Sequence, residues 1–341
     1  MKAYRLERFK DLDSLTLHTE NPHPPGPGEV LVRVRATALN FRDLALLHGQ
    51  YPMTCQPNLI PLSDAAGEVI TAGEGVTRFK PGDRVASSFF PRWFGGRFPQ
   101  SSRAEQYGSD QDGWLAEEKV VSAEALVAVP PHLSFEEAAT LPCAAVTAWT
   151  ALSGITAGDT VLTQGSGGVS LFALQLAKRL GARVIATTSG PEKAERLKAL
   201  GADEVIDYTV TPDWSARVQE LTGGQGVDRI VEVGGPGTLA QSIRAITVGG
   251  EIAMIGFLAA GESSIDFNAL FLSGAILRRI AVGNRADFED MNRAVSQHRL
   301  RPVVDRVFPF GQAGAAWRHF DSRKNFGKVV IAHGETMAGA H

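Results

Sequence analysis

The hydrophobic pattern of the chain changes character after about residue 124. Before that point, short runs rich in β-branched residues are broken by Gly and Pro, as in 28–40, 67–76 and 79–85. Alternation of apolar and polar positions in such runs is typical of strands, and the Gly-Asp pair in the last run is a turn signal. We therefore expect residues 1–124 to form a compact, largely antiparallel β domain.

From about residue 125 to residue 284 the pattern becomes strand, helix, strand. Apolar runs alternate with helical stretches such as 191–201 and 236–247. Six parallel strands joined by right-handed crossovers build one doubly wound sheet, which gives an α/β fold. The six strands are predicted at 160–164, 183–188, 204–208, 227–233, 251–256 and 276–283.

Residues 285–341 contain a predicted helix at 288–298 and a predicted strand at 327–333. A chain of 341 residues normally forms two domains. We expect the final segment to return to the β domain, so that one domain comprises 1–124 with 285–341 and the other comprises 125–284. The cleft between two domains is the default place for an active site.

A glycine-rich turn joins the first strand of the α/β region to the helix that follows. The turn consists of Gly165, Ser166, Gly167 and Gly168, followed by Val169, and Ser170 stands where a G-x-G-x-x-G motif would have its third glycine. Glycines let the backbone turn tightly, and free N–H groups at a helix start favour a phosphate. An ordinary strand–helix turn could use the same residues. The βαβ context nevertheless predicts a dinucleotide site here.

Charge and cysteine content exclude several functional classes. The formal net charge is −3, which argues against nucleic acid or an anionic membrane as the main partner. Cys55 and Cys143 are the only cysteines, so a disulfide framework is excluded and a reducing compartment is favoured. No segment has the apolar length that a bilayer requires, and no signal-peptide pattern is present. We therefore expect a cytoplasmic protein.

Four motifs occur in an order that is informative about the family. They are ATALNFRD at 36–43, the run 67–85, TLPCAAVTAWTAL at 140–152 and GSGGVS at 165–170. Together they resemble the medium-chain dehydrogenase/reductase superfamily, and the resemblance covers the chain from residue 1 to about residue 332. It implies a GroES-like β-rich catalytic domain and a Rossmann domain with a six-stranded parallel sheet that binds NADP(H).

The zinc ligands of that superfamily lack counterparts in this sequence. Asn40 stands at the first Cys ligand, Ser63-Asp64 stands at the His-Glu pair, and Cys143 alone matches. Residues 88–116 contain no cysteine, so the four-cysteine lobe is also missing. Because a catalytic zinc needs about three protein ligands, we expect no metal, and we interpret Cys143 as a small apolar residue. The chain thus resembles the zinc-free quinone oxidoreductase-like and zinc-independent alcohol dehydrogenase-like branch.

Asn40, Tyr51 and Thr147 are the candidate catalytic residues. Asn40 and Asp43 match the Asn-x-x-Asp motif that faces the nicotinamide in this branch, although both could instead cap the following helix. We assign Asn40 to function and Asp43 to structure. Tyr51 matches an aromatic residue of the branch and is a candidate proton donor, with water as the alternative donor. Thr147 matches a threonine that packs beside the nicotinamide.

The end of the second Rossmann strand indicates the cofactor. NAD-binding proteins have an acidic residue there, whereas this chain has Thr188. Ser189, Lys193 and Tyr208 match the residues with which NADP-dependent relatives hold the 2′-phosphate. Alternatively, Lys193 is a solvated helix lysine and Tyr208 packs at a strand end. We predict NADPH as the cofactor. The resemblance adds three further residues to the cofactor site: Gly256, Phe257 and Asn325.

A substrate reduced without a metal has to accept hydride with little electrophilic help. Conjugated enones, enals and quinones do so because the charge delocalises onto the carbonyl oxygen, where hydrogen-bond donors stabilise it. We therefore predict NADPH-dependent reduction of a small apolar conjugated carbonyl compound. One alternative is a zinc-free alcohol dehydrogenase or carbonyl reductase. An alternative of another class is a crystallin-like or RNA-binding protein that binds NADPH without significant turnover.

Residues 88–116 form a long aromatic insertion. Loops of this length in a compact domain are usually functional or disordered. The insertion is either a lid that favours a bulky apolar substrate or an interface. Its aromatic residues are Phe89, Phe90, Trp93, Phe94, Phe98 and Trp114.

The run 276–282 is predicted to be the last strand of the Rossmann sheet. An uncovered strand edge invites pairing with a second copy across a two-fold axis. The same arrangement is usual in the superfamily that the chain resembles. We therefore expect a homodimer formed through this strand.

Overall fold

The computed structural model describes residues 1–8, 12–51, 55–100, 105–259, 261 and 264–334. The chain divides into two compact units. The first unit comprises residues 1–146 with 283–341, and the second comprises residues 147–282. Residues 125–146, which the sequence pattern placed with the second domain, lie in the first unit.

The first unit contains a two-stranded sheet and a seven-stranded sheet. Its strands are β1 (Lys2–Leu6), β2 (Leu15–Thr19), β3 (Glu29–Ala38), β4 (Asp64–Ala72), β5 (Arg84–Ser87), β6 (Glu118–Ser122), β7 (Leu126–Ala128), β14 (Val304–Pro309) and β15 (Lys328–Ala332). Its helices are α1 (Phe41–Leu47), α2 (Phe135–Ala138), α9 (Arg285–Gln297) and α10 (Ala313–Asp321).

The larger sheet has the order β14-β15-β3-β4-β5-β7, and β6 pairs with β3. All of these pairings are antiparallel except that of β14 with β15. In β3, Val30, Val32 and Val34 are buried while Arg33 and Arg35 are exposed, which is the period of two that a strand produces. The predicted β-rich domain and the return of the C-terminal strand are both confirmed.

Most of the aromatic insertion packs inside the first unit. Its buried rings are Phe89, Phe90, Trp93 and Trp114. The ring centroids of Phe90 and Phe98 lie 5.2 Å apart, edge to face. Trp114 contacts Tyr107 in the same way at 5.5 Å. Since buried rings contribute strongly to a hydrophobic core, this insertion is largely part of the core, and Phe94 is its exposed ring.

The second unit is the predicted doubly wound domain. Its strands are β8 (Thr160–Gln164), β9 (Arg183–Thr188), β10 (Glu204–Asp207), β11 (Val227–Glu232), β12 (Ile246–Met254) and β13 (Ile276–Arg279). Its helices are α3 (Val146–Ala151, which starts at the end of the first unit), α4 (Gly168–Arg179), α5 (Pro191–Ala199), α6 (Trp214–Leu221), α7 (Leu239–Ala245) and α8 (Phe267–Ser273). The six strands form one parallel sheet in the order β10-β9-β8-β11-β12-β13.

Two of the predicted strand boundaries differ from the structure by more than two residues. β12 begins at Ile246 rather than at residue 251, because α7 ends at Ala245 and the chain becomes extended at once. β13 ends at Arg279 rather than at residue 283. Val282 has a φ of 56°, and this left-handed conformation cannot continue a strand. The strand therefore cannot reach residue 283, and the edge strand in the structure is four residues long.

Candidate functional site

The glycine-rich turn of the second unit has the form that a phosphate site requires. Gly165 has a φ of 75°, and its N–H donates to the Thr187 carbonyl of β9 at 2.7 Å. Gly167 precedes α4, a helix of 12 residues, and a Cβ atom at either glycine would meet open space. The N–H groups at the start of this helix can therefore bind a phosphate.

Ser170, at the position of the third glycine of the motif, has a structural role of its own. Its hydroxyl donates to the Gln164 carbonyl at 2.6 Å, across the turn from β8 to α4. Ser170 is buried, and this bond satisfies a polar group that would otherwise be costly. The serine thus stabilises the turn.

A buried carboxylate, Glu232, organises the neighbouring loop and was not found from the sequence. Its carboxylate accepts from the N–H groups of Gly234 and Gly235 at 2.9 Å and from Gln164 Nε2 at 2.7 Å. A Cβ atom at Gly256 would lie 2.6 Å from the Val233 carbonyl oxygen. The two loops that follow β11 and β12 therefore approach closely, and the predicted cofactor residue Gly256 lies where they meet.

The ends of β9 and β10 bring two of the predicted cofactor residues, Thr188 and Tyr208, next to each other. The Tyr208 N–H donates to the Thr188 carbonyl at 3.0 Å. Ser189 and Lys193 are half-buried, and Tyr208 is exposed. The buried Thr188 Oγ1 has no hydrogen-bond partner among the described residues. An orphaned hydroxyl at this position fits a cofactor ribose or phosphate.

Asp207 places a negative charge in the same region, which sequence reasoning missed. Its carboxylate accepts from the Gly190 N–H at 3.0 Å and from the Thr209 N–H and hydroxyl at 2.9 and 2.7 Å. These bonds, those from Thr209 above all, lower the pKa of Asp207. The carboxylate thus fixes the turn after β9 but also opposes an anionic ligand there.

In the first unit, Asn40 is both a helix cap and part of a buried polar cluster. Its N–H donates to Asp43 Oδ2 at 2.8 Å, which is the capping role expected of Asp43. The Asn40 side chain is engaged elsewhere, because its Oδ1 accepts from Lys328 Nζ at 2.6 Å. Burial raises the pKa of Asp43 to about 6, against the opposing effect of the adjacent Arg42.

Lys328, on β15, was not predicted from the sequence. Its buried ammonium also donates to the Leu39 carbonyl at 2.6 Å and lies 4.0 Å from Asp64 Oδ2. Asp64 accepts from the Ser63 hydroxyl at 2.7 Å and from the Cys143 N–H at 3.1 Å. Burial raises the pKa of Asp64, and Lys328 opposes that rise. A protein cation therefore already faces the acceptors of this cluster.

The residues at the zinc-ligand positions do not fit a zinc ion. Asn40 Oδ1 is bonded to an ammonium, and Ser63 stands at the histidine position. Cys143 and Asp64 are the two donors that remain, and a zinc site needs about three ligands. Within the described residues, no group of three or more His, Cys, Asp or Glu side chains could hold a metal.

The other predicted site residues have the following surroundings. The Tyr51 hydroxyl donates to Gln106 Oε1 at 3.1 Å. Thr147 is buried at the start of α3. Asn325 Nδ2 donates to the Gly327 carbonyl at 2.8 Å, which ties it to the turn before β15. Phe257 is exposed, directly after Gly256.

Comparison with known proteins agrees with this architecture. Residues 26–131 match the alcohol dehydrogenase GroES-like domain family, and residues 168–297 match the zinc-binding dehydrogenase family. A zinc-type alcohol dehydrogenase-like protein of Schizosaccharomyces pombe is 42% identical over 92% of this chain and 93% of its own length. A quinone oxidoreductase of Pseudomonas aeruginosa is 31% identical over 91% of this chain and 93% of its own length.

Solved structures give the same result. A crystal structure described as an alcohol dehydrogenase from Sinorhizobium meliloti 1021 has a TM-score of 0.90 and 40% identity, covering 97% of this chain and 98% of that chain. A mycobacterial protein solved with NADPH has a TM-score of 0.81 and 30% identity, covering 97% of this chain and 100% of that chain. In the part of the chain that the structure describes, no helix is long and apolar enough to cross a membrane. The chain is an oxidoreductase of the medium-chain dehydrogenase/reductase superfamily.

Proposed function

We propose that this protein is a zinc-independent, NADPH-dependent oxidoreductase that reduces conjugated carbonyl compounds. The observation that carries the proposal is the buried Lys328 ammonium, which is bonded to Asn40 and faces Asp64. These are two of the positions at which the resemblance places zinc ligands. This arrangement supports a reduction of a substrate that needs no Lewis acid.

The second unit has residues that fit the cofactor. The turn 165–169 would hold the pyrophosphate, and Thr188, Ser189, Lys193 and Tyr208 would hold the 2′-phosphate ribose. Gly256 and Phe257 would lie toward the nicotinamide. A bound reduced nicotinamide supplies a hydride. That a similar mycobacterial protein was solved with NADPH supports this choice of cofactor.

The proposed substrate class follows from the groups that could stabilise negative charge on the substrate. A conjugated carbonyl compound spreads the incoming charge onto its oxygen, where hydrogen-bond donors suffice to stabilise it. Tyr51, whose hydroxyl already donates to Gln106, is the proposed proton donor. The quinone oxidoreductase relative supports this class. The similar structure described as an alcohol dehydrogenase supports a second candidate function, that of a zinc-free alcohol dehydrogenase.

A substrate screen tests the function. Metal-free protein is expected to oxidise NADPH with enones, enals or quinones faster than with saturated aldehydes, and a chelator should leave the rate unchanged. The measurement is NADPH absorbance over a panel of carbonyl compounds. If saturated alcohols are oxidised with NADP⁺ while enones and quinones leave NADPH untouched, the second candidate is correct. If no compound is turned over although NADPH binds, the protein belongs to the non-catalytic class.

We also propose a homodimer. The edge strand β13 and helix α8 expose large apolar side chains, with Phe267, Phe271 and Leu272 all more than 70% accessible. The two phenylalanine rings stack at 6.1 Å. A contiguous apolar surface of this kind is typical of an interface.

Light scattering at micromolar concentration is expected to give twice the chain mass of 36.4 kDa. Phe271→Asp should give a monomer, because a buried unpaired charge disfavours the interface. The matched control is Val210→Asp, an exposed apolar residue outside β13 and α8. A monomeric mass for the unmodified protein would rule the dimer out.

A further inference from the structure

Arg42, in helix α1, has a buried guanidinium of which only part is used by the protein. The residue is 7% exposed. Its Nη1 donates to the Tyr107 carbonyl at 3.0 Å and to Asp43 Oδ1 at 3.3 Å. The rings of Tyr51 and Phe89 lie 5.4 and 5.0 Å from its Cζ atom. The buried Nε and Nη2 atoms have no hydrogen-bond partner of good geometry within the described residues, although the nearby Tyr51 hydroxyl also contributes to the raised pKa of Arg42 as an acceptor.

The two unpaired nitrogens form one edge of the guanidinium. The guanidinium is planar, and the N–H bonds of Nε and Nη2 point in the same direction, so they act together as a bidentate donor. Burial disfavours the charge, but Asp43 and Tyr51 more than compensate and raise the pKa of Arg42. The edge is therefore cationic at every physiological pH. Buried donors without partners are costly, which is consistent with a ligand that completes them.

The other donors that the sequence suggested for the substrate oxygen are neutral groups. Asn40 Oδ1 accepts from Lys328 Nζ at 2.6 Å, and the buried Asn40 Nδ2 has no hydrogen-bond partner within the described residues. The Tyr51 hydroxyl donates to Gln106 Oε1 at 3.1 Å. Arg42 is adjacent to both, because it packs against the Tyr51 ring and bonds to Asp43, which caps the same helix as Asn40. Among these side chains, Arg42 is the one with a free cationic edge.

We propose that Arg42 is a catalytic residue whose Nε–Nη2 edge binds the carbonyl oxygen of the substrate and stabilises the enolate. This inference rests on the proposed function. A reduced nicotinamide would supply the hydride to the β-carbon of the conjugated carbonyl and would itself be oxidised, while the carbon–carbon π pair shifts toward the carbonyl carbon and the carbonyl π pair moves to oxygen. The resulting enolate oxygen is the anion that Arg42 holds. The α-carbon then takes a proton from the Tyr51 hydroxyl or from water, which gives the saturated carbonyl compound.

The test compares Arg42→Lys with the double variant Arg42→Met/Asp43→Asn. Lysine keeps the charge but lacks the fork, and the double variant removes the guanidinium without leaving Asp43 charged and uncompensated. We expect kcat/KM for a reducible enone to fall about 10²–10³-fold, as for loss of an oxyanion donor. Added guanidinium ion should restore part of the activity of the double variant. The control is Arg229→Met, another buried arginine with an unpaired Nε but in the second unit.

A second measurement does not depend on turnover. Benzoate, a planar delocalised anion, should bind the protein without cofactor, and both variants should bind it about 10- to 150-fold more weakly. Arg229→Met should bind it normally. Unchanged benzoate affinity and enone kinetics in folded Arg42→Lys and in the double variant would overturn the proposal. If the unmodified protein does not turn over enones but binds benzoate in a way that depends on Arg42, the proposed function is wrong, while Arg42 is still the site of anion binding.

Discussion

Replacing Lys328 by methionine is expected to lower the free energy of unfolding by about 3–5 kcal/mol. The substitution keeps the apolar stem but removes the ammonium, which donates hydrogen bonds to the Leu39 carbonyl and to Asn40 Oδ1. It also leaves Asp64, which is fully buried, without the cation 4.0 Å away. An uncompensated buried carboxylate is thus the main cost. Urea unfolding of both proteins measures the difference.

Two variants separate this charge effect from lost packing. Lys119→Met is the matched control, because Lys119 Nζ also donates to a carbonyl, at 2.7 Å. The carboxylate that attracts its charge, Asp112, is however 40% exposed, so it does not become an uncompensated buried charge. We expect a loss of no more than about 1 kcal/mol there. Lys328→Met/Asp64→Asn should regain part of the stability, with a coupling energy of about 0.5–3 kcal/mol. Equal losses in the single and double variants would refute the role of the pair.

Lys193→Ala is expected to lower kcat/KM with NADPH by about 10- to 150-fold and to leave kcat/KM with NADH unchanged. The range corresponds to one charge-assisted hydrogen bond of about 1.5–3 kcal/mol to the 2′-phosphate. Lys198→Ala is the control, since Lys198 lies on the same helix α5 but is exposed and paired with Glu195 at 3.2 Å. Steady-state kinetics with both cofactors give the answer.

Asp207 sets how strong this preference can be. Its carboxylate accepts from Gly190 N–H in the turn after β9, close to the residues proposed for the 2′-phosphate. A like charge there weakens the binding of a phosphate, although exposure screens the effect. Equal use of NADH and NADPH by the unmodified protein would show that the absence of an acid at Thr188 is not decisive.

The sequence predicted those parts of the molecule that local pattern determines. The strands of the second unit are continuous apolar runs, and the turn 165–168 has glycines directly after a strand, so both were found with errors of a few residues. The end of β13 was misplaced because nothing in its residues signals the left-handed Val282. The aromatic insertion was expected to be a lid or an interface, and most of its rings belong to the core, because composition alone does not reveal which rings are buried.

The buried charges were the part that sequence reasoning could not supply. Arginine and lysine are usually exposed, so nothing in the sequence marks Arg42 and Lys328 as buried. Their burial depends on partners far apart in the chain. Asn40 and Lys328 are separated by 288 positions. The one available signal for Lys328 was its place at the start of an otherwise apolar strand, beside Val329, Val330 and Ile331.

The pairing of β15 with β3 has a consequence for how the protein is made. During synthesis the ribosome releases β3, Asp64 and the rest of residues 1–146 first, but the strand that completes their sheet follows about 180 residues later, roughly 10–40 s at ordinary elongation rates. The second unit is continuous in sequence and can fold within that interval. Until residue 328 emerges, the nascent first unit has an open sheet edge and a carboxylate with no counterion, so chaperones should hold this half of the chain the longest.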